Sequence, residues 1–195
     1  MKVQIILAGI GGQGILFLSK ILAELGLRSG LDVIGSEIHG MSQRGGSVIA
    51  HLKLGKFSSP LIREGAADFL YVLEINEGYR ALPFLKQGGV IFANLSEREE
   101  FNEKILNHLK KGKIVIKKYD ANLAASQVGL LRSSNVALIG YSVGTGLVRF
   151  RYSDVKEVIV SLSRQGDVNL NLKALEAGWK EGKLHSKDLW RKATS

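Results

Sequence analysis

Two glycine-rich stretches near the start of the chain hold the groups best suited to chemistry. The first is Gly9-Ile10-Gly11-Gly12-Gln13-Gly14. It contains a G-x-G-x-x-G pattern, through Gly9, Gly11 and Gly14, directly after an apolar run at residues 3–8. Behind it, Ile15, Leu18, Leu22 and Leu25 recur at helical spacing. Glycines let a backbone approach an anion closely, and the free N–H groups at a helix N-terminus attract phosphate. Two readings stand. One is a phosphate or pyrophosphate site, and the other is a tight turn that packs helix on strand and binds nothing. Glu37 falls roughly 20 residues further on, where a dinucleotide site places its acidic residue. Spacing alone therefore leaves open a stand-alone Rossmann-like NAD(P)- or FAD-binding enzyme.

The second stretch runs Ser36-Glu37-Ile38-His39-Gly40-Met41-Ser42-Gln43-Arg44-Gly45-Gly46-Ser47. It sets an imidazole, an amide, a guanidinium and glycines within a few residues of one another. The Arg44 fork suits carboxylate or phosphate, and its glycine neighbours admit a ligand or another chain. These types have little packing value and show no period, which predicts an ordered loop over 39–46 that serves function or an interface. The alternative is a structural loop whose Arg44 pairs with a local carboxylate.

The elements that must position these groups follow from periodicity. Residues 3–8 read as a buried strand, 15–27 as a helix apolar nearly all round, and 32–35 as the start of a second strand. Val48, Ala50, Leu52 and Leu54 alternate with Ile49, His51 and Lys53, the mark of a half-buried strand. That strand, following the 39–46 loop, is expected to run antiparallel. A turn at Gly55-Lys56 and a short return at Ser59-Pro60 follow. Strands are predicted at 69–73, 90–93 and 113–118, and a helix at 76–85 ended by Gly88-Gly89. Ser96 and Glu99 form a capping box for a helix through Leu109. Helices are further predicted at 121–128, at 135–147 (rich in small residues), at 155–163 capped by Ser153 or Asp154, and at 171–182. Residues 183–195 read as a polar tail tied down by Leu189 and Trp190. Alternating strands and helices predict an α/β fold, a three-layer α/β/α domain with a mostly parallel, mixed sheet. One domain over residues 1–182 plus the tail suits 195 residues.

Composition narrows the function. Apolar residues make up 45% and charged residues 23%, which is ordinary for a folded soluble domain. No apolar run spans a bilayer, and the N-terminal run turns at glycines without a cleavage pattern, so it reads as a strand and not a signal peptide. A cytoplasmic protein with no membrane contact is expected. The chain has no cysteine, so it can supply no disulfide and no thiolate for an iron–sulfur cluster. Its histidines, His39, His51, His108 and His185, lack zinc spacing. Lys and Arg (27) exceed Asp and Glu (18), for a net charge of +9. That balance admits a basic assembly or nucleic-acid-binding module. The charge is dispersed, though, with Lys110, Lys111, Lys113, Lys117 and Lys118 the densest group. No aromatic ladder or recognition motif accompanies it, so the expectation is a solvated surface and no nucleic acid.

Taken together, residues 8–15 and 36–48 resemble the gamma-type domain of 2-oxoacid:ferredoxin oxidoreductases. The His-Gly-Met-x-Gln-Arg-Gly-Gly form is similar to the indolepyruvate branch more than to the pyruvate or 2-oxoglutarate branches. Ser59-Pro60-Leu61-Ile62, Ala67-Asp68, Glu74 and Asn171-Leu172-Lys173-Ala174-Leu175-Glu176-Ala177-Gly178 extend the resemblance over residues 3–180. It implies an oxidoreductase subunit, inactive alone, whose large partner carries thiamine pyrophosphate and [4Fe–4S] clusters. That partner decarboxylates a 2-oxoacid, here indolepyruvate or another aryl pyruvate, reduces ferredoxin and yields an acyl-CoA, with coenzyme A as cosubstrate. This chain agrees, having neither cysteine nor a Gly-Asp-Gly thiamine motif. No cofactor and no metal are assigned to it. Carried over, Gly11, Gly12, Gln13, Gly14, His39, Gln43, Arg44, Gly45 and Gly46 are the positions expected to face a ligand or the subunit junction. None is assigned a catalytic role.

Overall fold

The computed structural model describes residues 2–39 and 45–193, with side chains for 2–38 and 45–186. Gly40, Met41, Ser42, Gln43 and Arg44, the centre of the second glycine stretch, lie outside the described residues.

Six strands form one sheet in the order β2-β3-β1-β4-β5-β6. They are β1 (Val3–Ile10), β2 (Val33–His39), β3 (Ser47–Leu54), β4 (Ala67–Val72), β5 (Leu85–Asn94) and β6 (Val115–Tyr119). β1, β4, β5 and β6 pair in parallel, whereas β3 is antiparallel to both β1 and β2. The expected mixed, mostly parallel sheet is what forms. Both faces are covered, as parallel pairing requires. Along β1, Ile5 and Leu7 enter one core while Ile6 and Ala8 enter the other, the period-two alternation of a strand buried on both sides.

The first face carries α1 (Ile15–Arg28), α4 (Ala121–Gln127), α5 (Ser134–Gly144), α6 (Tyr152–Leu162) and α7 (Val168–Ala193); the second carries α2 (Ile75–Ala81) and α3 (Glu103–Lys111). α5 is buried along its whole length, and α7 lies against it. Glycines set that closeness. A Cβ on Gly140 or Gly144 of α5 would overlap the Leu175 or Trp179 carbonyl oxygen of α7. One on Gly178 or Gly182 of α7 would overlap the carbonyl oxygens of Ala137 or Tyr141. Spacing of four residues puts each glycine pair on one helix face.

Several boundaries differ from expectation. α2 stops at Ala81 because Leu82-Pro83 tightens the chain into a 3-10 turn, and Gly88-Gly89 lies inside β5. There the β4–β5 register shifts between Ala67 and Phe69. The Ser96–Glu99 pair makes a turn and caps no long helix. Glu99 accepts from both the Ser96 amide (2.9 Å) and the Ser96 hydroxyl (2.8 Å), so the hydroxyl is unavailable to a helix amide. α3 begins at Glu103 instead, capped by Asn102. Neither Ser153 nor Asp154 caps α6, which starts at Tyr152. Asp154 lies in its first turn and pairs with Arg151 at 2.9 Å. α7 begins at Val168 and runs to Ala193, through the stretch expected to be a polar tail. No proline interrupts it, and Gly182 serves helix contact and not termination.

Candidate functional site

The carboxyl end of β1 is where the two glycine stretches meet. β3 pairs antiparallel with β1 so that Ser47 stands opposite Ile10, and β2 ends with His39 opposite Val48. The residues that lead directly into β3 therefore lie beside the glycine turn. Backbone bonds join the two: Gly11 N–H donates to the Gly46 carbonyl at 2.9 Å, and Gly45 N–H to the Gly11 carbonyl at 3.4 Å. Residues 34 and 35 positions apart in sequence thus form one unit.

The turn is locked from within by Gln13. Its Oε1 accepts the Ile10 N–H at 2.9 Å, and its Nε2 donates to the Leu73 carbonyl at 3.3 Å. Leu73 follows β4, the neighbour of β1 across the sheet. The chain leaves β1 toward the first face, through α1, and leaves β4 toward the second face, through α2. That divergence opens the crevice where open α/β sheets commonly bind ligands. Here protein amides occupy it, for Asn94 Nδ2 also donates to Leu73 O at 3.4 Å.

From the first face, Asn135 of α5 braces the turn. Its Nδ2 donates to the Gly14 carbonyl at 2.9 Å, and the residue is 1% exposed. Gly14 caps α1 with φ 76°, a left-handed conformation suited to glycine. A Cβ there would overlap Asn135 Nδ2. The sequence marks Asn135 only as a helix start; its partner 121 residues away is not signalled locally. Beyond the turn opens a cleft of about 410 Å³ bordered by Gly12, Gly14, Phe17, Lys20, Arg132 and Arg164. Arg132 pairs with Asp167 at 2.6 Å, so cations outnumber the carboxylate and the cleft favours anionic groups.

The geometry disfavours a dinucleotide at this turn. The Ile10 and Gly11 amides in the turn are committed to Gln13 and Gly46. Glu37 is exposed on β2, and β3 separates that strand from β1. Two strand spacings put it about 10 Å across the sheet from β1, against one spacing in a Rossmann pair.

Of the expected site residues, Gly11, Gly12, Gln13, Gly14, Gly45 and Gly46 are brought together. His39 ends β2 opposite Val48, two strands across from Gly9, and Gln43 and Arg44 fall outside the described residues. Among the described residues no three His, Cys, Asp or Glu side chains stand placed to hold a metal. No helix of the described chain is long and apolar enough to cross a membrane.

Residues 4–181 match the family model described as pyruvate ferredoxin/flavodoxin oxidoreductase. The chain belongs to that family. Among curated relatives it is 34% identical to the indolepyruvate oxidoreductase subunit IorB of Archaeoglobus fulgidus, covering 93% of this chain and 96% of the relative. It is 33% identical to the IorB subunit of Thermococcus kodakarensis, covering 92% and 96%. Among solved structures, the gamma subunit of a keto/oxoacid ferredoxin oxidoreductase from Geobacter sulfurreducens superposes with a TM-score of 0.71. That match is at 23% identity and covers 93% of this chain and 99% of that one. The 2-oxoglutarate:ferredoxin oxidoreductase of Magnetococcus marinus, solved with 2-oxoglutarate, coenzyme A and succinyl-CoA, superposes with a TM-score of 0.75 at 18% identity. It covers 96% of this chain and 31% of that longer one. At such identities the two structures share the fold. The pyruvate ferredoxin/flavodoxin oxidoreductase assignment makes this chain a gamma-type subunit of a multisubunit 2-oxoacid:ferredoxin oxidoreductase.

Proposed function

We propose that this gamma-type chain serves an oxidoreductase of indolepyruvate or another aryl pyruvate, and that its part is to present residues 39–46 at the junction with the large subunit. The reaction is oxidative decarboxylation of the 2-oxoacid with coenzyme A, giving acyl-CoA and carbon dioxide with two electrons passing to ferredoxin. The names of the IorB relatives support the substrate class. The observation that carries the junction role is the two-way backbone link of Gly11 with Gly45 and Gly46. It ties the C-terminal end of the loop to the glycine turn, whose Gly12 and Gly14 border a cationic cleft, while β2–β3 register sets the other end at His39.

Thiamine pyrophosphate and [4Fe–4S] clusters belong in the partner on this reading. Their usual holders do not fit this chain, which has no cysteine and no Gly-Asp-Gly motif. What this chain supplies is positioning. Backbone amides and Gln13 fix the loop's base, Asn135 fixes the start of α1, and Lys20, Arg132 and Arg164 set a positive potential along the approach.

Arg44→Ala tests the reading. In the complex assembled with the large subunit, kcat for indolepyruvate should fall at least about tenfold, the scale of a misplaced positioning group. The melting temperature of the free subunit should move by less than about 2 °C, as for a side chain that serves the junction and not the fold. A variant that melts several degrees lower yet turns over normally once assembled would make Arg44 a structural residue and remove the loop from the junction.

A further inference from the structure

We infer that the cavity at the amino ends of β1, β4 and β5 is a binding site for a small aryl monocarboxylate, a molecule with an aromatic body and one anionic group. The cavity measures about 360 Å³, within the range of small-molecule sites. It lies at the end of the sheet opposite the glycine turn. The eight residues of β1 separate the two by about 25 Å.

The cavity exists because the first face is left uncovered there. α5 ends at Gly144, and Gly146, with φ 74°, turns the chain aside before α6 begins at Tyr152. Ile5 and Leu54 are fully buried at the cavity. Val3, Phe69 and Val90, from neighbouring strands, stay half-buried, and Leu147 and Phe150 of the connecting segment complete the apolar lining. Apolar side chains left half-buried around one concave opening are the usual lining of a ligand site. Phe69 gives the aromatic preference. Its ring stacks on Phe92 with centroids 6.1 Å apart, and Phe92 meets Tyr71 at 5.1 Å, so an incoming ring at Phe69 extends that row.

The rim supplies the charge. Lys2, Lys86 and Arg149 border the cavity together with Asp68. Both Asp68 oxygens are committed, one to the Lys86 ammonium and the other to the Gln4 N–H at 2.8 Å. Arg149 is exposed and pairs with no carboxylate among the described residues. Its planar fork suits a carboxylate held at two points. Lys2 adds a second cation without a carboxylate; its Nζ lies 5.2 Å from the centre of the Phe57 ring. An inorganic anion would leave the apolar lining unfilled, and a neutral ring would leave the cations unanswered.

Methyl-labelled NMR titrations of the full chain, followed at Val3, Val90 and Leu147, test this. Hydrocinnamate should give saturable shifts there with a Kd below about 1 mM. Hydrocinnamamide has the same shape without the charge and should bind at least about tenfold more weakly. Cyclohexanepropanoate should bind at least about threefold more weakly, because a saturated ring forfeits the ring–ring contact with Phe69. Arg149→Gln, at an exposed position, should fold as the parent does, weaken hydrocinnamate about tenfold and leave the amide unchanged. Equal binding of acid and amide, equal binding of the saturated ring, or saturable shifts at Leu162 beside the glycine turn instead would overturn the inference. In the assembled complex, hydrocinnamate should slow amide exchange over residues 147–150. If assembly alone slows it as much, the cavity is a subunit contact and the inference fails.

Discussion

Glycine does two opposite jobs in this molecule. At the carboxyl end of β1 it supplies conformations: Gly12 has φ 103° with nothing within 4 Å of where a Cβ would stand. Between α5 and α7 it supplies absence: Gly140, Gly144, Gly178 and Gly182 have ordinary helical backbones, but a Cβ on any of them would enter a carbonyl of the facing helix. The first set keeps a surface open beside a cationic cleft. The second closes an interface until backbones touch. Glycine content alone therefore says nothing of function. What separates Gly12 from the helix-pair glycines is whether the missing side chain would meet solvent or protein; Gly14, with a positive φ and Asn135 against it, combines both uses.

Substitution by alanine breaks the comparison most sharply at the helix pair. Gly178→Ala forces α7 away from the Ala137 carbonyl along a fully buried helix, and overpacking of this kind costs about 3 kcal/mol. In a domain of this size that is a Tm drop of roughly 6–12 °C, readable by calorimetry. A drop under 2 °C would mean that the helices separate freely and that the glycine contact is incidental. Gly14→Ala should come next, at about 2 kcal/mol, combining left-handed strain with the clash on Asn135. Chemical denaturation of Gly14→Ala, Asn135→Ala and the double variant resolves the two parts. The double variant should be less destabilised than the sum, because removing the amide makes room for the methyl group. Strict additivity would show that Asn135 does not brace the turn. Gly12→Ala marks the lower end at about 1 kcal/mol, since only backbone strain opposes it.

Much of this arrangement is legible in the sequence. Alternating apolar runs and helical periods placed the strand–helix order, and the alternation of Val48, Ala50, Leu52 and Leu54 after a polar loop marked β3 as the antiparallel member. Both glycine stretches were visible, and their meeting follows once β3 lies beside β1. The brace on the turn is not visible there, because Asn135 acts on a partner 121 residues away and carries no local pattern. The α5 glycines fall in a stretch that reads as a helix rich in small residues, whereas Gly178 and Gly182 fall in one that reads only as a helix. Their spacing of four on two helices was a usable signal, since it predicts one flat face on each. Ser96 misled because a capping box and a side-chain-closed turn share the same residue pair, and the hydroxyl's choice of partner decides between them.

Amide hydrogen exchange, compared between the free subunit and the assembled oxidoreductase, tests the central claim most directly. The account predicts that assembly slows exchange at residues 36–47 and 11–14 by at least about tenfold, the mark of a surface that becomes buried or ordered. The amides of α5 and its α7 contact should exchange equally slowly in both states, because that interface is complete within the chain. Slowing confined to other surfaces, with residues 36–47 unchanged on assembly, would contradict the assignment of the glycine unit to the subunit junction.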